Sequence, residues 1–155
     1  MRWLLVLTLA FVGLAQPASA QSSAALVVEQ SAPGAVPHWT LTLATPYCGG
    51  YRIGDGVYLR PQPPLSLPTD LPDGSVLFEG QPATVSQVED ALRIGPAPDV
   101  VWSQVCLNTD RPLQIELLPE AGLSLPADPG SYAIDVWTGA NATPITITFE
   151  VPGPA

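Results

Sequence analysis

The chain has 155 residues, of which 12% are charged, and its five basic against 14 acidic side chains give a net charge of −9. Lysine is absent, and beyond Arg2 the cations are Arg52, Arg60, Arg93 and Arg111. With no basic stripe to release counterions, the chain repels polyanions, which argues against nucleic acid and anionic membranes as partners. Proline (19) and glycine (13) are frequent, yet 46% of residues are hydrophobic, enough for the core of one domain.

Residues 1–20 read as a secretory signal: Arg2, an apolar run over 3–15, then Ala18-Ser19-Ala20 as a cleavage site. The run is shorter than the roughly 20 apolar residues of a spanning helix. No cysteine stands at the site, and no later stretch is long enough to span, so no transmembrane segment is expected after signal cleavage. Cleavage leaves a single β-sandwich domain over 21–155, with an N-terminal strand or linker over 21–37, secreted to an extracellular or periplasmic location.

Short alternating runs punctuated by Gly, Pro and Asp then follow, the pattern of a sandwich or barrel. Strands are predicted over 25–30; over 39–43, with Trp39, Leu41 and Leu43 on one face; and over 56–60, with Val57 and Leu59 opposite Tyr58 and Arg60. The proline-rich stretch 61–72 cannot be a central strand, because each proline lacks the ladder donor. Strands follow over 75–78, 83–88 and 91–94, with Glu79 to Pro82 and Glu89-Asp90 as turns. Further strands are predicted over 100–107, carrying Trp102 and Cys106, and over 113–118. Tyr132, Ile134 and Val136 point inward in the next, and a final hairpin alternates Ile145, Ile147, Phe149 and Val151 with Thr146, Thr148 and Glu150. The fold class is all-β, an immunoglobulin-like antiparallel β-sandwich of about nine strands.

Cys48 and Cys106 are the two cysteines. In an exported chain an even count favours a disulfide, and closing a loop of about 60 residues is worth roughly 4 kcal/mol in the loop-entropy account. They lack the clustered partners that tetrahedral zinc requires, and neither a metal nor a cofactor is expected. The single histidine, His38, stands at a strand edge with no nucleophile elbow to serve, and the close acids Asp70/Asp73 and Glu89/Asp90 fall in turns, where Asp is an ordinary turn former. Asp55, Asp70, Asp73 and Asp128 offer oxygen ligands that calcium could use. Trp39, Trp102, Trp137, Tyr47, Tyr51 and Tyr58 could stack on sugar rings or a partner; core packing is the ordinary role of the tryptophans, whereas Tyr47 and Tyr51 bracket Cys48 in a Gly-rich loop and suit a contact surface.

From Gly54 the order of features resembles the immunoglobulin-like modules of bacterial secreted and surface-layer proteins. The residues that carry it are Gly54-Asp55-Gly56-Val57-Tyr58-Leu59, the Leu65-Ser66-Leu67-Pro68 loop, Ser75 to Val85, Leu92-Arg93-Ile94, and the closing Gly130-Ser131-Tyr132 to Val136-Trp137-Thr138. The two cysteines and the solitary domain depart from such modules. The resemblance implies a scaffold or adhesive module and brings no catalytic residues. The expected function is a non-catalytic secreted or cell-envelope structural and interaction module whose partner is a protein or glycan of the envelope. The alternative is a carbohydrate- or calcium-binding sandwich.

Overall fold

The structure is a computed structural model and describes residues 23–29, 32–44, 56–68, 71–96, 112–139 and 141–153. Ten strands are described: β1 (Ser23–Val28), β2 (Trp39–Ala44), β3 (Val57–Pro61), β4 (Val76–Phe78), β5 (Gln81–Pro82), β6 (Thr84–Val88), β7 (Ala91–Gly95), β8 (Leu113–Leu117), β9 (Gly130–Thr138) and β10 (Asn141–Val151). They form two antiparallel five-stranded sheets, ordered β1-β2-β8-β4-β5 and β10-β9-β3-β7-β6. The all-β sandwich expected from the alternation is the one observed.

The first four strands of sheet one and the first three of sheet two reproduce the two sheets of a constant-type immunoglobulin domain. In that scheme β5, β6 and β7 are an insertion between the fourth and fifth strands, and the β6–β7 hairpin extends sheet two beside β3. Tyr132, near the start of β9, donates its hydroxyl to the Asp128 carbonyl at 2.6 Å. That back-bond at the start of the sixth immunoglobulin strand is the tyrosine corner of such sandwiches.

Period-two alternation builds the core. Trp39, Leu41 and Leu43 of β2 and Leu113, Ile115 and Leu117 of β8 face Val57 and Leu59 of β3, Leu92 and Ile94 of β7, and Ile134 and Val136 of β9, all buried. One end of the sandwich is closed by the connection after β8, a 3₁₀ turn at Pro119–Ala121 followed by buried Leu123 and Leu125. Backbone bonds from Leu125 N to Ala35 O (2.8 Å) and Gly34 N to Pro126 O (3.1 Å) fasten it to the β1–β2 connection. Among the described residues no helix is long and apolar enough to cross a membrane.

Several boundaries differ from expectation. The first strand is Ser23–Val28 and is fully paired with β2, so the N-terminal segment belongs to the sheet. Gln81–Pro82, expected as part of a turn, is a strand; Glu79 and Gly80 make the turn instead, with φ of 52° and 75°. Consecutive positive φ values give the primed turn whose twist matches a two-residue hairpin. Ten described strands thus replace about nine. The predicted strand over 100–107 lies outside the described residues, as do residues 1–20.

Gly56 is the position where backbone room is tightest. Its φ is +139°, and a Cβ there would stand 2.5 Å from the Ile94 carbonyl oxygen on β7. Gly56→Ala is therefore expected to destabilise the domain by more than about 2 kcal/mol, through strained backbone and separation of β3 from β7. Tyr132→Phe, which deletes one hydroxyl bond, should cost about 1 kcal/mol. Urea denaturation of the two variants checks both values and their order.

Candidate interaction surface

Sheet two presents the most organised polar face. Tyr58 on β3 pairs across the ladder with Trp137 on β9, and Arg60 pairs with Asp135. The period of two turns all four side chains away from the core residues Val57, Leu59 and Val136. Tyr58 and Trp137 stack with ring centroids 5.3 Å apart and planes 7° from parallel, and the Arg60 guanidinium lies 5.3 Å from the Trp137 ring centroid. Arg93 on β7 flanks Tyr58 on its other side.

Asp135 is the centre of this face and is only 6% exposed. Its Oδ2 accepts from Arg60 Nη2 at 2.9 Å, and its Oδ1 accepts from Gln62 Nε2 at 3.1 Å and Thr146 Oγ1 at 2.7 Å. Burial by itself would raise the carboxyl pKa. The hydrogen bonds from Thr146, Arg60 and Gln62, with the arginine charge, outweigh burial and hold it below its ordinary value. Asp135 is thus kept as an anion, satisfied on both oxygens. Arg60 also reaches Asp90 at 3.8 Å.

On sheet one, His38 Nε2 lies 3.1 Å from Glu116 Oε2 on β8, and His38 Nδ1 lies 3.6 Å from Glu29 Oε2. The single histidine therefore bridges the end of β1, the start of β2 and β8. This is a strand-edge role, with a carboxylate on each ring nitrogen.

A third feature lies between the sheets, at the β5/β6 edge. Among the described strands, β4 and β5 are short, whereas β6 continues to Val88. A groove of about 230 Å³ lies there, lined by Leu71, Asp73, Val76, Val85, Ser86 and Gln87 among others.

The residues singled out in the sequence fare differently. Tyr47, Tyr51, Cys48, Cys106 and Trp102 lie outside the described residues, as do Asp55 and Asp70. Trp39 is a core residue, 1% exposed, whose Nε1–H donates to the Leu123 carbonyl at 3.1 Å. Trp137, expected to pack in the core, and Tyr58, expected opposite Val57 and Leu59, are half-buried on an outer face. Asp73 and Asp128 stand in separate loops, and among the described residues no three His, Cys, Asp or Glu side chains are grouped as metal ligands. Glu89 and Asp90 form the β6–β7 turn, as expected. Sequence reasoning missed Asp135 as an organising residue and missed the groove. Asp135 stood out only as an acid among apolar strand neighbours.

Because Asp135 is depressed on folding, its contribution to stability is present above the unfolded value near 3.8 and is lost as pH falls through the lower folded value. Asp135→Asn is expected to lower Tm at pH 7 and to flatten the loss of Tm between pH 4 and pH 2. Thr146→Val should cost about 1 kcal/mol at pH 7. Thermal melts of wild type and variants across that pH range check the sign.

No protein-family model and no curated protein matches the chain. Among solved structures, the chain is similar to BslA, described as a bacterial hydrophobin, at 14% identity and a TM-score of 0.51. The likeness covers 85% of this chain and 98% of that one. It is a likeness of fold, and it supports the sandwich without extending to the surface-layer modules that the sequence resembles.

Proposed function

We infer that this protein is a non-catalytic structural and interaction module of the bacterial cell exterior. The observation that carries the reading is the commitment of the buried Asp135 and of the single histidine, His38, to structure. Asp135 is held as an anion by three side-chain donors, and His38 is bracketed by Glu29 and Glu116. General acid–base catalysis needs a group poised to exchange a proton beside an open substrate site. Asp135 has neither the free oxygen nor the proton. The fold shared with a bacterial hydrophobin and the signal-like N-terminus agree with a role outside the cell.

A second reading, carbohydrate binding, is favoured by the stacked Tyr58–Trp137 pair beside Arg60 and Asp135. Aromatic faces take the apolar face of a sugar, and the half-exposed Arg60 guanidinium beside them would donate to its hydroxyls. Tyr58→Ala should then abolish retention on the recognised glycan while the domain stays folded. Unchanged retention across a glycan array removes this reading.

Export and oxidation are tested directly. The exported protein should begin at Gln21 by intact mass, and thiol labelling of the denatured, unreduced protein should find Cys48 and Cys106 joined. A full-length species outside the cell, or two reactive thiols, would contradict these expectations. For the main reading, the purified exported protein should show no turnover against panels of glycoside, ester and peptide substrates. Turnover abolished by Asp135→Asn or Glu116→Gln in a folded variant would overturn it.

A further inference from the structure

Asp128–Pro129 is the one Asp–Pro peptide bond in the chain. Such a bond carries its own nucleophile and a ready leaving group. The aspartate carboxyl can close a five-membered ring on its own carbonyl carbon. The prolyl nitrogen takes a proton more readily than the nitrogen of an ordinary amide. Tethering of this kind replaces a bimolecular encounter with an internal one. An Asp–Pro bond in an unfolded chain still lacks a fixed donor for the oxygen that gathers negative charge as the ring closes.

Here that donor is in place. Tyr132 donates its hydroxyl to the Asp128 carbonyl oxygen at 2.6 Å, and this carbonyl belongs to the Asp128–Pro129 bond. The Tyr132 ring is itself held, 6.1 Å from Phe149, which packs edge-on against Trp39. The segment around the bond is pinned at both ends. Upstream, Leu125 N bonds Ala35 O and Gly34 N bonds Pro126 O; downstream, Gly130 opens β9 and pairs with Val151. Asp128 and Pro129 are both exposed, so water reaches the bond. Tyr132 faces the bond from β9, and among the described residues no ion pair involves the Asp128 carboxyl.

We propose that this turn is a self-cleavage site, in which the Asp128 side chain attacks its own main-chain carbonyl and severs the bond to Pro129 while Tyr132 stabilises the oxyanion. In the first step an oxygen of the protonated carboxyl bonds the carbonyl carbon, the C–N bond to Pro129 breaks, and the carboxyl proton passes to the prolyl nitrogen. The products are a cyclic anhydride at residue 128 and a secondary amine at Pro129. In the second step one water opens the anhydride and restores the side-chain carboxyl beside a new α-carboxyl. Nothing is oxidised or reduced, and the sum is hydrolysis of one peptide bond. The β9–β10 hairpin stays docked after the cut, because β9 is laddered to β3 from Val57 to Pro61 and Ile134, Val136 and Val151 are core residues. The product is a two-chain module. The event happens once per molecule on its own chain, so it goes beyond the interaction-module reading without adding turnover of an outside substrate.

The test holds the purified exported protein at pH 5, above the range in which protonation of Asp135 weakens the fold, beside the same protein unfolded in urea. Intact mass under denaturing conditions should show a fragment beginning at Pro129 that accumulates at least about tenfold faster from the folded protein. That factor is smaller than the 10²–10³ of a donor in a water-excluded site, because this donor is solvated. Tyr132→Phe should bring the folded rate down to the unfolded one. A merely structural tyrosine predicts otherwise: loosening the turn would leave the rate unchanged or raise it. Pro129→Ala keeps nucleophile and donor, replaces the prolyl leaving group and should stop cleavage. If Tyr132→Phe does not fold, the folded and unfolded wild-type rates decide the matter by themselves. The proposal is overturned if the folded protein yields this fragment no faster than the unfolded one, or if folded Tyr132→Phe is cut as fast as wild type. Either outcome leaves the non-catalytic reading standing, because only turnover of an added substrate bears on that.

Discussion

Trp39 joins three parts of the chain that are far apart in sequence. From the first position of β2 its ring packs edge-on against Phe149 of β10, at 5.2 Å and 89°, and its indole N–H bonds the Leu123 carbonyl. It therefore connects sheet one, sheet two and the connection that closes one end of the sandwich. A buried indole needs a partner for its N–H, and the Leu123 carbonyl needs a donor once the connection is buried. Each satisfies the other. The buried Leu123 and Leu125 can then complete the core, and β1 can pair with β2 above β10. Truncating Trp39 would leave both a cavity and an orphaned carbonyl, two costs that add.

With the core set by apolar alternation, the outer faces are free to differ. On sheet two, pleat geometry brings an aromatic pair and an ion pair into successive cross-strand positions between β3 and β9. The arrangement is internally satisfied: Arg60 lies over Trp137, bonds Asp135 and approaches Asp90. On sheet one, Thr40, Thr42, Gln114 and Glu116 make a plain polar face, tied at one end by His38. Among the described residues, Arg60, Asp90, Asp135, His38 and Glu116 thus use charge to hold strands together.

Much of the fold could be read from the sequence because strand periodicity is local. Trp39, Leu41 and Leu43 alternate with threonines, and Ile145 to Val151 alternate with Thr and Glu; both patterns became inner and outer faces as read. What could not be read depends on register between distant strands. Nothing near Tyr58 in the sequence announces that Trp137 will stand opposite it, nor near Asp135 that Gln62 will reach it. Gln81–Pro82, expected within the Glu79 to Pro82 turn, forms a strand although its proline lacks an N–H. At the outer edge of sheet one that missing donor costs no ladder bond, so a proline sits there in a strand. The groove was hidden for a related reason, since it arises from the unequal lengths of β5 and β6 on opposite sheets.

That inequality follows from how the insertion is threaded. The chain leaves β5 in sheet one, passes Ala83 and enters β6 in sheet two, so one nearly continuous segment serves both sheets at this edge. Once it has crossed, β6 runs on from Thr84 to Val88, and among the described strands β5 is the last of sheet one at this edge. Ala83 N still bonds the Val76 carbonyl at 2.9 Å, which marks the last residue at which the crossing segment is held to sheet one. Beyond it, β6 is laddered to β7. A segment that crosses in this way closes sheet one with its first half and extends sheet two with its second. At the opposite edge the six-residue β1 lies against the 11-residue β10, so there too the two sheets contribute strands of unequal length.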